Sequence, residues 1–92
     1  MDYNQLAKEI IQAVGGKGNV NEVYHCITRL RFQLKDQSKV NEQQLKDLDK
    51  VMGTNIAGNQ FQVIIGNDVP KVFEALVEEN PAWKNKETAN KT

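Results

Sequence analysis

Only one cysteine, one histidine and two prolines occur among the 92 residues of this chain. A single thiol cannot close an internal disulfide, which removes the stapled, secreted scaffolds from consideration. One cysteine and one histidine are also too few for a zinc cluster, so no metal is expected. Long apolar runs are missing as well: none approaches the roughly 20 residues that span a bilayer. The opening Met-Asp-Tyr-Asn-Gln lacks the basic and apolar regions of a signal peptide, and the expectation is a cytoplasmic chain. Net charge is absent too, because twelve basic side chains cancel twelve acidic ones. Binding to a phosphate backbone draws on clustered positive excess, so no nucleic acid is expected as the main partner.

What remains suits one small soluble domain with a single core: 39% apolar residues and 26% charged. Asp2, with Gln5 three residues on, predicts the cap of a first helix. Tyr3, Leu6, Ala7, Ile10, Ile11 and Val14 follow at helical spacing, and Gly15-Gly16 predicts its end. Two strands are expected over 22–25 and 28–35. In the second, Leu30, Phe32 and Leu34 alternate with Arg29, Arg31, Gln33 and Lys35, so the apolar set faces a core and both arginines face away. Asp36-Gln37-Ser38 reads as a turn. Asn41 and Gln44 predict a capped short helix carrying Leu45 and Leu48.

Strands over 50–57 and 60–65 would be joined at Gly58-Asn59, residues that tolerate positive φ. Phe61, Val63 and Ile65 would point one way, and Gln60, Gln62 and Ile64 the other. Asp68 would cap a last helix with Pro70 in its first turn and a face of Val69, Val72, Phe73, Leu76 and Val77, ended by Asn80-Pro81. The order α-β-β-α-β-β-α predicts an α+β fold, a four-stranded, mostly antiparallel sheet with three helices on one face. Residues 81–92 are mainly polar and are expected to form a flexible tail or the start of a linker.

The chemistry concentrates in His25-Cys26-Ile27-Thr28-Arg29-Leu30-Arg31-Phe32. A thiolate can attack phosphorus, and two guanidinium groups can hold a phosphoryl group while it does so. A lone cysteine is most often an inert filler and an outward arginine most often a solvated one. Here the cysteine lies in a connection between strands, where unpaired backbone N–H groups such as that of Ile27 can form an anion-binding nest. The Thr28 hydroxyl could donate another hydrogen bond. His25 sits beside Cys26 on a strand, where neighbours face opposite ways, so a local or partner contact is expected of it rather than a base. Tyrosine phosphatases place five residues between cysteine and arginine. This chain has two before Arg29 and four before Arg31, with no helix start after Cys26, and that reading is set aside.

The run from Cys26 to Phe32, with Val14-Gly15-Gly16 before it and Gln60-Phe61-Gln62-Val63-Ile64-Ile65-Gly66 after it, resembles the IIB domain of the sugar phosphotransferase system, glucose/sucrose class. The resemblance spans about residues 3 to 80, and the element order agrees with that family's fold. It implies that a IIA phosphohistidine passes its phosphoryl group to Cys26, and that the phosphocysteine phosphorylates a sugar held by a membrane-embedded IIC domain. Phosphoenolpyruvate would be the ultimate donor. Arg29 and Arg31 match the motif's two arginines, while His25 inherits no role. Met52-Gly53-Thr54-Asn55-Ile56 and the run from Ile65 to Val72 are most similar to β-glucoside-specific members. Sucrose, trehalose and N-acetylmuramic acid permeases are close relatives. Residues 1–80 would then be the IIB domain, on the cytoplasmic side of the membrane, and residues 81–92 would lead toward IIC. Two other classes stand as alternatives: a non-catalytic sensor using Cys26 for oxidation or anion binding, and a sheet-based RNA binder. The second needs stacking aromatics on the open face, where Phe32 and Phe61 are not expected.

Overall fold

The computed structural model describes residues 3–81 and residue 83. The elements are α1 (Tyr3–Ala13), β1 (Val20–His25), β2 (Arg29–Leu34), α2 (Glu42–Lys46), β3 (Gly53–Ala57), β4 (Gln60–Ile64) and α3 (Val69–Glu79), with single 3₁₀ turns at Lys17–Asn19 and Gln37–Lys39. The order is the expected one. The four strands form one sheet in the order β1-β2-β4-β3, and every neighbouring pair is antiparallel.

Alternation along the strands decides which face is covered. Leu30, Phe32 and Leu34 of β2, Phe61 and Val63 of β4 with Ile65 just beyond it, and Val20 and Val23 of β1 are buried together with the inner faces of α1 and α3. Burying a Leu, Val or Phe side chain contributes about 1.5–3 kcal/mol, so these residues supply most of the drive to fold. The apolar sets expected for α1 and α3 are buried apart from Tyr3, which is partly so. Phe32 and Phe61 face this core, as the period-two pattern requires.

Several local expectations change. The third strand starts at Gly53 rather than at position 50, because the Val51 N–H bonds back to the Leu48 carbonyl at 3.1 Å and continues the turn from α2. Of the Gly58-Asn59 pair, Gly58 alone takes positive φ, at 61°. That is the pattern of a two-residue hairpin with glycine first. Asp68 does begin α3, but its carboxylate makes no cap; it accepts from Lys50 Nζ at 2.9 Å instead. An ammonium is the stronger partner for a carboxylate than a backbone N–H. Asn41 caps α2 as expected, its Oδ1 accepting from Gln44 N at 3.0 Å. The cap assigned to Asp2 lies outside the described residues.

Asn19 ties the end of the β1–β2 hairpin remote from Cys26. Buried, it donates from Nδ2 to the carbonyls of Val14 (2.8 Å) and Asp36 (3.0 Å) and accepts from Asp36 N at 2.9 Å. Gly15, at φ 109°, closes over it: a Cβ there would stand 2.6 Å from Asn19 Nδ2. The expected tail over 81–92 falls mostly outside the described residues. Trp83 is described and is only 2% exposed, so the core takes in one large ring beyond position 80. No helix among the described residues is long and apolar enough to cross a membrane.

Candidate functional site

The sheet's other face carries no helix. Along it β1 presents Tyr24, β2 presents Arg29, Arg31 and Gln33, and β4 presents Gln60, Gln62 and Ile64, each row set by the pairing Tyr24↔Arg31↔Gln62. Cys26 lies where this face meets the end of the β1–β2 hairpin, in a connection of three residues, 26–28.

Backbone hydrogen bonds hold that connection rigidly. Cys26 N–H donates to the Arg29 carbonyl at 3.0 Å, and the Thr28 carbonyl accepts from both Ile65 N (2.9 Å) and Gly66 N (2.8 Å). Gly66, at φ 99°, gives the chain its bend between β4 and α3 while keeping the second of these bonds. The Cys26 carbonyl meets His25 Nδ1 at 3.0 Å. A carbonyl only accepts, so this nitrogen carries a proton. The His25 ring packs on Phe73 of α3, with centroids 4.6 Å apart. It therefore props the connection from the covered side, a local contact of the kind expected, and does not face the arginines.

These constraints shape the sulfur's surroundings. Partial burial pushes the Cys26 thiol up, but the N–H groups of Thr28 and Arg29 and the Arg31 guanidinium outweigh it, and its pKa ends below the ordinary thiol value. Hydrogen bonds and positive charge favour the thiolate, which is the nucleophilic form. The two arginines are not equivalent here. Arg31 acts on the sulfur, whereas Arg29 donates from Nη1 to Gln62 Oε1 at 2.7 Å. The ion pairs among the described residues join Lys17 to Glu79 and Lys50 to Asp68, and neither involves an arginine.

Of the residues singled out in the sequence, Cys26, Thr28, Arg29 and Arg31 come together at one end of the open face. Thr28 contributes through its backbone, N–H toward sulfur and carbonyl toward the Ile65–Gly66 bend. Ile27 turns its side chain outward, 83% exposed, and Met52 is 75% exposed near Gly66, its sulfur 3.4 Å from where a Gly66 Cβ would stand. What the sequence reading did not single out are the amides. Gln60, Gln62 and Asn55 bond to one another and to the arginines. The signal was in hand, since the Gln60-Phe61-Gln62 alternation already put both glutamines on the arginine side.

Comparison with known proteins agrees with this geometry. The family described as phosphotransferase system, EIIB, matches over residues 8–41, which include the cysteine motif. The chain is 61% identical over 77 residues to the β-glucoside-specific EIIBCA component of Bacillus subtilis, a match covering 84% of this chain and 13% of that protein. To the sucrose-specific EIIBC component of Staphylococcus xylosus it is 51% identical over 77 residues, covering 83% of this chain and 16% of the relative. The chain thus spans a small part of the length of these relatives. A crystal structure of one domain of the IIabc component of the phosphotransferase system from Clostridium difficile superimposes with a TM-score of 0.80 at 33% identity, covering 85% of this chain and 82% of that one. With a solved domain matched over most of its length at 33% identity and a family match that spans the cysteine motif of this chain, the chain belongs to the EIIB family of the phosphotransferase system.

Proposed function

We propose that this chain is a phosphoryl carrier of a sugar permease, most simply one for β-glucosides, with Cys26 as the residue that carries phosphate. The Cys26 thiolate attacks the phosphorus of a phosphohistidine on a IIA domain. The sulfur–phosphorus bond forms as the phosphorus–nitrogen bond breaks, and the imidazole nitrogen keeps the electron pair and takes up a proton. A sugar hydroxyl held by a membrane IIC domain then attacks the same phosphorus. The hydroxyl loses its proton, and sulfur departs as the thiolate that began the cycle. Arg31 and Arg29 neutralise charge on the equatorial oxygens in both transfers, assisted by the backbone N–H groups around Ile27 and the Thr28 hydroxyl. No metal or other cofactor is required by this scheme. The domain takes in Trp83, whose ring is buried in the core, and lies on the cytoplasmic side of the membrane, and the residues beyond it lead toward IIC.

The observation that carries the reading is a thiol of lowered pKa fixed at the end of an uncovered sheet face beside a guanidinium. A buried filler cysteine would have its pKa raised instead. β-Glucoside-specific relatives at 61% and 56% identity, ahead of a sucrose-specific one at 51%, support a β-glucoside as the sugar. The test supplies phosphorylated IIA and membrane vesicles containing the matching IIC, then measures sugar phosphate with β-glucoside, sucrose and trehalose in parallel. Wild type should phosphorylate the β-glucoside fastest and Cys26→Ser should phosphorylate none. Sugar phosphate formed at wild-type rate by Cys26→Ser would end the proposal.

A further inference from the structure

Gln62 is a buried polar side chain on a sheet face that no helix covers. It is 5% exposed, closed in by its neighbours on the same face. Both ends of its amide are used. Oε1 accepts from Arg29 Nη1 at 2.7 Å and from Asn55 Nδ2 at 3.4 Å, while Nε2 donates to Gln60 Oε1 at 2.9 Å. Gln60 Oε1 accepts in turn from Arg31 Nη1 at 3.4 Å. One continuous chain of groups therefore runs Arg29–Gln62–Gln60–Arg31.

The direction of the bonds is informative. By register Arg29 lies across from Ile64 and Arg31 across from Gln62. Each guanidinium nevertheless bonds to the glutamine two positions earlier in β4, so both lean on the same diagonal. The chemistry of the acceptor matters as much. A carboxylate would orient a guanidinium equally well but would cancel its charge, whereas an amide oxygen fixes direction and leaves the charge for an incoming anion. Arg31 Nε is meanwhile buried without a hydrogen-bond partner among the described residues. An unmet buried donor is costly, and an oxyanion at this end of the face would satisfy it.

We propose that Gln62, linked through Gln60, is a positioning residue that holds Arg29 and Arg31 ready for the phosphoryl group without neutralising them. The inference rests on the phosphoryl-carrier reading and adds to it. Gln62 touches neither phosphate nor sulfur and acts through the arginines. Its loss should slow phosphoryl transfer while leaving the core intact.

The test measures the rate at which the 92-residue chain takes up phosphate from a phosphorylated IIA domain, in wild type, Gln62→Met, Gln62→Glu, Arg29→Met and the double variant Arg29→Met/Gln62→Met. Gln62→Met should slow uptake roughly tenfold, the scale expected when a positioned group drifts. Gln62→Glu should slow it at least as much, because the new carboxylate neutralises Arg29, and it serves as the readout if Gln62→Met does not fold. In the Arg29→Met background, removing Gln62 should change the rate less than about twofold, since its route to the reaction is already gone. A merely structural Gln62 would give effects that multiply, and that result overturns the inference. So does uptake by Gln62→Glu within about twofold of wild type. Failure of wild type itself to take up phosphate would instead defeat the carrier reading, so the two outcomes are separable.

Discussion

The two faces of one sheet follow opposite rules in this protein. On the covered face Leu30, Phe32, Phe61 and Val63 share the core with α1 and α3, and His25 packs its ring on Phe73 at the end of β1. On the open face the residues between them, Arg29, Arg31, Gln60 and Gln62, hydrogen-bond to one another laterally and keep their cationic charge uncancelled. The first face holds the fold together through area removed from water. The second face contributes less to stability, because hydrogen bonds made at a protein surface largely replace bonds to water. Stability and the proposed chemistry thus fall to alternate residues of the same strand.

That division can be broken by substitution. The largest effect belongs to the covered face: Phe32→Ala should lower stability by about 3–5 kcal/mol, a large share of what a small domain has, read by urea unfolding. Cys26→Ser, in the connection just after β1, should change stability by less than about 0.5 kcal/mol in the same experiment. Comparable losses from the two would collapse the distinction.

A smaller effect sharpens the open face itself. The Arg31 guanidinium favours the charged sulfur, so Arg31→Met should raise the Cys26 pKa and move the midpoint of its alkylation by iodoacetamide to higher pH. Arg29→Met should move that midpoint less, because its guanidinium is bonded to Gln62 and its backbone N–H, which remains, is what reaches the sulfur. Equal shifts would show that the arginines are equivalent.

Much of this was legible in the sequence, and for a physical reason. Period-two alternation in β2 and β4 fixes both faces at once, so Leu30 and Phe32 could be read inward and Arg29 and Arg31 outward before any coordinates. Helix faces and the stop at Gly15-Gly16 followed from equally local rules. Contacts between residues distant in the chain were not legible. Asp68 looked like a cap, but Lys50, eighteen residues earlier, takes its carboxylate. Asn19 gave no local hint that it would tie Val14 to Asp36. Trp83 read as part of a polar tail, yet a single indole buries enough apolar surface to join the core. At the site, the motif pointed to Cys26 and its arginines. The glutamines came into view only once β4 was seen to lie beside β2, an adjacency set by the sheet order.

The most direct measurement is phosphorus NMR of the chain after incubation with phosphorylated IIA domain. The account predicts one phosphothioester resonance, present in wild type and absent from Cys26→Ser. A phosphorylated Cys26→Ser protein, or a wild-type signal arising from phosphate on nitrogen or oxygen, would contradict it.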